Sequence, residues 1–130
     1  MSRNNEQSSI SSGTTPATKS DPVEVAEAYY KALDIGVKSG DFSMAYALLS
    51  SRHRQNRSLE VLKKDYSDTK AIKIENIKPV FQSEAITSTV YVSVILTLSN
   101  DQQQRYKGNY FLIFENHRWY MDTPDIEEVK

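Results

Sequence analysis

Acid–base or metal chemistry needs groups that hold a proton or a cation in a fixed geometry, and this chain offers few of them. Its two histidines are His53, within Arg52-His53-Arg54-Gln55-Asn56-Arg57, and His117, in the dipeptide Asn116-His117. Neither has an Asp, Glu or Ser at a spacing that would build a triad or a metal site, and a catalytic base needs a second group to orient it. Both read as solvated loop histidines. The chain has no cysteine, which excludes disulfides, thiolate metal sites and a cysteine nucleophile. No catalytic residue, metal site or cofactor is assigned on these grounds. Asp122 would be enzyme-like if it were buried with a raised pKa, but the strand register places it on an outer face, in a surface role.

What remains is binding chemistry. Tyr30, Tyr46, Tyr66, Tyr106, Tyr110 and Trp119 combine apolar rings with polar tips, a composition that suits a ligand pocket. The plainer alternative is that they are core aromatics with satisfied hydroxyls. Arg52, Arg54, Arg57, Lys63 and Lys64 form a local basic cluster that could receive an anion, although exposed charge of this kind usually reads as a solvated surface.

The 130 residues carry a net charge of −1. Residues 1–20 hold Arg3, Lys19 and Glu6, so residues 21–130 carry −2. A slightly acidic domain gives no reason to expect nucleic acid or an anionic membrane as partner. The longest apolar stretch, Val90–Leu98, is interrupted by Ser93 and Thr97 and falls far short of the roughly 20 residues that span a bilayer. No membrane insertion is expected. Residues 1–20 have only Met1 and Ile10 as sizeable apolar side chains, too few to offset ordering entropy, and are read as a disordered tail or linker. Residues 21–130 are read as a single α+β domain, soluble, and cytoplasmic if the chain is full length. If it is a piece of a longer protein, it suits an accessory domain of a larger envelope or membrane assembly, tethered by the tail.

The elements that would position any site follow from periodicity. Asp21, Pro22 and Glu24 mark a helix start. Val23, Ala26, Tyr30, Leu33 and Val37 then form one apolar face and Val25, Tyr29, Ala32 and Gly36 a second, and Ser39-Gly40 ends the helix. Asp41 opens a short second helix with Phe42, Ala45, Leu48 and Leu49 inward. The basic run 52–57 is a connector, and Ser58 caps a third helix with Leu59, Leu62 and Tyr66 inward. From residue 71 the period becomes two. Strands are expected from Ile72 past Pro79 to Phe81, over 85–98, over 104–115 and, briefly, over 118–122.

Strand register divides the sheet into two faces. A two-residue Asn116-His117 turn sets Glu115 opposite Arg118, Phe114 opposite Trp119 and Leu112 opposite Met121. The loop near Asn100–Gln103 is ambiguous. An odd length, with Val92 opposite Tyr110 and Val94 opposite Gly108, collects the larger apolar set on one face and is preferred. The inner face then holds Val90, Val92, Val94, Leu96, Leu98, Tyr106, Tyr110, Leu112, Phe114, Trp119 and Met121. The outer face has an apolar centre of Tyr91, Ile95, Phe111, Ile113 and Tyr120, large enough if bare to mark an interaction site.

Three N-terminal helices packed on a curved antiparallel sheet, a cystatin-like cone, resembles the nuclear-transport-factor-two-like superfamily, which includes ketosteroid isomerase and the SnoaL-like proteins. The resemblance covers roughly residues 21–123. It rests on the opening helix Pro22–Leu33, the step Ser39-Gly40-Asp41-Phe42 into Ala45-Leu48-Leu49, and the closing hairpin Tyr110–Asp122. Such membership implies a cavity between helices and sheet, and frequent dimerisation through the outer sheet face. Enzymes of the superfamily place an acid or His in that cavity, alongside Tyr. Residues 85–98 and 104–114 contain no Asp, Glu or His, with Glu84 merely nearby, so no catalytic role carries over. The expected function is a non-catalytic binding or assembly domain, pairing through the outer face as a homodimer or with another protein. The alternative is a cavity protein for an apolar small molecule, or an enzyme of the isomerase or SnoaL type.

Overall fold

The computed structural model describes residues 21–82 and 86–130, and for residues 81 and 82 the backbone alone. The tail expected over residues 1–20 and the start of the second strand at residue 85 lie outside the described residues. The element order is α1 (Pro22–Ser39), α2 (Ser43–Ala47), α3 (Ser51–Asn56), α4 (Leu59–Asp65), β1 (Thr69–Gln82), β2 (Thr87–Leu98), β3 (Gln103–Glu115) and β4 (Arg118–Val129). The strands form one antiparallel sheet in the order β1-β2-β3-β4. Helices followed by an antiparallel sheet is thus the observed α+β order.

The first helix starts as its residues dictate. The Asp21 carboxylate accepts from the Val23 N–H at 2.9 Å, and Glu24 reaches back to the Asp21 N–H at 3.3 Å, a reciprocal capping box. Gly40 ends it in the left-handed region, at φ 87°, where a side chain would be strained. Both apolar stripes are covered: Val25, Tyr29, Ala32 and Gly36 are buried alongside Ala26, Tyr30 and Leu33. Gly36 is there for packing, since a Cβ would lie 2.6 Å from the Phe42 ring.

Three expectations about elements are corrected. The connector over 52–57 is itself a helix, α3, so the described residues hold four helices rather than three. Its cap is Ser50, whose hydroxyl accepts from the His53 N–H at 3.1 Å. Six polar residues with none buried present no apolar stripe, so periodicity could not reveal them. The second helix is likewise entered at Phe42 rather than Asp41, although Asp41 does accept from the Ser43 N–H at 3.0 Å. The last strand does not stop at 122 but pairs with β3 as far as Val129. Pro124 lies within it, which a sheet tolerates because β4 is an edge strand.

The Asn116-His117 turn pairs Phe114 with Trp119 and Leu112 with Met121, as expected. Both turn residues have positive φ, 51° and 67°, the primed geometry that matches strand twist. The other hairpin has the expected parity but is displaced by two residues, with Val92 opposite Gly108 and Val94 opposite Tyr106. An even displacement leaves every side chain on its face. Val90, Val92, Val94, Tyr110, Leu112, Trp119 and Met121 are therefore buried under the helices. Three bulges interrupt the β1–β2 pairing, and bulges bend and twist a strand.

Candidate functional site

Asp122 is buried, 7% exposed, and its expected surface role is corrected. A bulge between the pairs Phe111–Thr123 and Leu112–Met121 leaves Asp122 as the extra residue of β4. Regular alternation fails at such a residue, and the side chain can be re-aimed. Its carboxylate accepts from the Ser50 hydroxyl at 2.6 Å and the Thr123 hydroxyl at 2.9 Å, and it forms an ion pair with Arg52. Burial alone would push the carboxyl upward. Hydrogen bonds from Arg52, Ser50 and Thr123, with the Arg52 charge, overcome this and hold it below the ordinary carboxylate range.

This node fastens α3 to the sheet. The Ser50 N–H donates to the Met121 carbonyl at 2.8 Å, and the Met121 N–H donates to the Leu48 carbonyl at 2.9 Å, so residues 48–50 add a short parallel bridge to β4. At the start of α3, Glu115 accepts from the Ser51 N–H at 3.1 Å. One turn further on, His53 Nδ1 lies 2.8 Å from the Asp122 backbone oxygen. His53 is thus a half-buried, oriented side chain, not the solvated loop histidine expected. His117 is exposed in its turn.

Beside the node lies a cavity of about 420 Å³ between α1, α4 and the inner face of the sheet. Four of the six expected pocket residues line it: Tyr30, Tyr66, Tyr106 and Tyr110. The other two do not. The Tyr46 hydroxyl donates to the backbone oxygens of Arg54 and Arg57, at 3.3 and 3.2 Å, which ties α2 to α3. Trp119 is buried against Phe114, ring centroids 5.3 Å apart, as a core residue. The structure adds Tyr29, His53, Arg57 and Asp65 to the wall. Tyr29 was visible only as part of the second stripe of α1, while His53 and Arg57 depend on a helix that has no apolar signature.

The tyrosines form an aromatic floor. Tyr29 meets Tyr30 edge-on at 5.1 Å and Tyr110 at 6.0 Å, a geometry favoured by the ring quadrupoles. Burial pushes the Tyr29, Tyr30 and Tyr110 hydroxyls well above 10, and Tyr66 up to about 12. They are therefore neutral hydroxyls at physiological pH, able to donate and accept hydrogen bonds. At the wall, Arg57 and Asp65 form an ion pair. The basic cluster is thus partly neutralised, since Arg52 is paired with Asp122 and Arg57 with Asp65.

The outer face is more polar than expected. Phe111 is 39% exposed, whereas Tyr91, Ile95, Ile113 and Tyr120 are half-buried. Glu75, the extra residue of a β1 bulge, accepts from Arg105 at 2.7 and 2.8 Å and from the Ser93 hydroxyl at 2.8 Å. The two Arg105 hydrogen bonds, then that from Ser93, hold the Glu75 carboxyl down at about 2. Lys78 stands over the Tyr91 ring at 5.3 Å. These groups partly cover the apolar centre.

Among the described residues, no group of three or more His, Asp or Glu could hold a metal ion, and no helix is long and apolar enough to cross a membrane. No protein-family model matches the chain, and no curated protein does. Among solved structures, a Campylobacter jejuni protein described as an NTF2-like transpeptidase is similar over 81% of this chain and 100% of its own, at 18% identity and a TM-score of 0.42. No residue's role passes across a likeness of that size.

Proposed function

We propose that the chain is a non-catalytic binding domain that holds a small, largely apolar aromatic molecule in the tyrosine-lined cavity. The cavity itself carries this reading. Its volume of about 420 Å³ falls within the ordinary range of ligand pockets, roughly 300–1,000 Å³. Its wall combines Leu62, Val94 and Leu96 with tyrosine rings, so it offers apolar contact and a few hydroxyls to fix orientation. A binding role rather than a catalytic one is supported by how the nearby carboxylates are engaged. Asp65 is paired with Arg57, and Asp122 is held by three partners, leaving neither poised to move a proton.

Binding stabilises a folded protein by mass action, by about 2.7 kcal/mol at a hundred times Kd. A thermal-shift screen with naphthalene-, indole- and steroid-like compounds should therefore raise the Tm by several degrees for at least one class. If every class leaves the Tm unmoved at saturation, the cavity is not a ligand site.

A second reading concerns the outer face, where Phe111 stands exposed beside Ile113 and Tyr120, with Tyr91 diagonal to it and Ile95 set apart between Lys73 and Arg105. This patch supports pairing with a second copy of the chain. Ile113→Asp would bury an unpaired charge in such an interface and should convert a dimer to a monomer in light scattering. Wild-type protein that is already monomeric at about tens of micromolar, in the range of weak interfaces, would dispose of this reading while leaving the cavity untouched.

A further inference from the structure

The polar chemistry of the cavity wall narrows the ligand class beyond an apolar aromatic molecule. A backbone carbonyl can only accept a hydrogen bond. The 2.8 Å contact between His53 Nδ1 and the Asp122 oxygen therefore requires the proton on Nδ1, and in the neutral ring this leaves a lone pair on Nε2. That contact sets the ring's orientation. Its helix is fastened by the Ser50 cap, by the Ser50–Asp122 hydrogen bond and by Glu115 at the Ser51 N–H. Nε2 has no hydrogen-bond partner among the described residues, and His53 is part of the cavity wall. The buried Tyr30 hydroxyl on the same wall likewise has no hydrogen-bond partner among the described residues. Polar groups that face a cavity without protein partners are satisfied by water or by a ligand.

We infer that the cavity selects aromatic molecules bearing a hydroxyl, whose O–H donates to His53 Nε2. This rests on the cavity reading above and adds the identity of the anchoring group. An ether of the same shape fills the same space but cannot donate, so it leaves the acceptor unsatisfied. A site built to hydrogen-bond a hydroxyl discriminates against analogues that lack it. The charged groups of the wall are compatible with a neutral ligand, because Arg57 and Asp65 already neutralise one another.

The test uses the full chain and a matched pair, 2-naphthol and 2-methoxynaphthalene, titrated while amide chemical shifts are followed by NMR. The naphthol should bind about tenfold more tightly, the usual cost of one unmet buried hydrogen bond. His53→Asn keeps a donor near the Nδ1 position and removes the Nε2 acceptor. It should retain the fold, judged by an unchanged Tm, and reduce the preference to about one. The nitrogen-15 spectrum of the His53 ring in wild-type protein should show the proton on Nδ1. Equal binding of the two compounds by wild type overturns this inference and leaves the cavity reading standing. So does a preference that survives in a folded His53→Asn variant, or a ring with its proton on Nε2. Failure of both compounds to bind wild type overturns the cavity reading, and this inference with it.

Discussion

Gly108→Ala is expected to destabilise the fold by about 3 kcal/mol, from overpacking and backbone strain together. Gly108 sits at φ 155°, and a Cβ there would press on the Asp125 carbonyl oxygen and lie 2.9 Å from the Ile126 Cα. These are backbone atoms of the paired strand, so no flexible side chain can move aside. The missing side chain is what lets β4 lie close over β3 at the Gly108–Ile126 pair. Relief can come only if the end of β4 swings away, carrying with it Pro124 and Ile126 of the cavity wall. Urea denaturation should show the lowered midpoint, and hydrogen exchange should show protection lost first over residues 124–129. An unchanged midpoint with protection intact would mean that β4 does not approach β3 as described.

Asp122→Ala is expected to cost about 2–3 kcal/mol at neutral pH, as hydrogen bonds to a charged acceptor are lost from a buried node. The Ser50 hydroxyl, fully buried, is left without its acceptor. Arg52 suffers less, because its side chain is 67% exposed and can turn to water. The dependence on pH has a definite sign. The folded-state pKa of Asp122 lies below its ordinary value of 3.8, so the unfolded chain takes up the proton more readily. The stabilisation is therefore present above about pH 4 and is lost as pH falls through the folded-state value. Wild type and Asp122→Ala should converge in stability on acidification, when both are followed by denaturant titration across pH 7 to 3. A gap that persists unchanged at pH 3 would show that the carboxylate charge is not what holds the node.

The node also shows where reading residues in order succeeds and where it stops. Strong periodicity and turn chemistry made the frame legible. The two stripes of α1, the Asp21 box, the Asn116-His117 turn and the inner face of β2 and β3 all follow from spacing and local preference. Parity of the second hairpin was recoverable because a buried face tolerates no one-residue slip. Its exact register was not, because a two-residue displacement leaves the faces alike.

What escaped was everything that depends on an irregularity. Alternation from Trp119 points Asp122 outward, and the bulge beside Phe111 breaks that alternation. The α3 helix is polar all round and owes its place to its own Ser50 cap and to Glu115 and Asp122, which are distant in sequence. Because His53 and Arg57 depend on that helix, the polar part of the cavity wall has no signature in the sequence, whereas Tyr30, Tyr66, Tyr106 and Tyr110 stand out there by composition. Tyr46 and Trp119 were grouped with that floor on composition, and their hydroxyl bonding and ring packing assign them instead to the core.

The most direct test of the cavity as a ligand site is a chemical-shift map of the full chain titrated with 2-naphthol. Changes are predicted to concentrate on amides around Tyr30, His53, Leu62, Tyr66 and Tyr110, leaving Tyr91, Ile95 and Phe111 on the outer face unmoved. Changes centred on that outer face, or none at saturating ligand, would contradict the account.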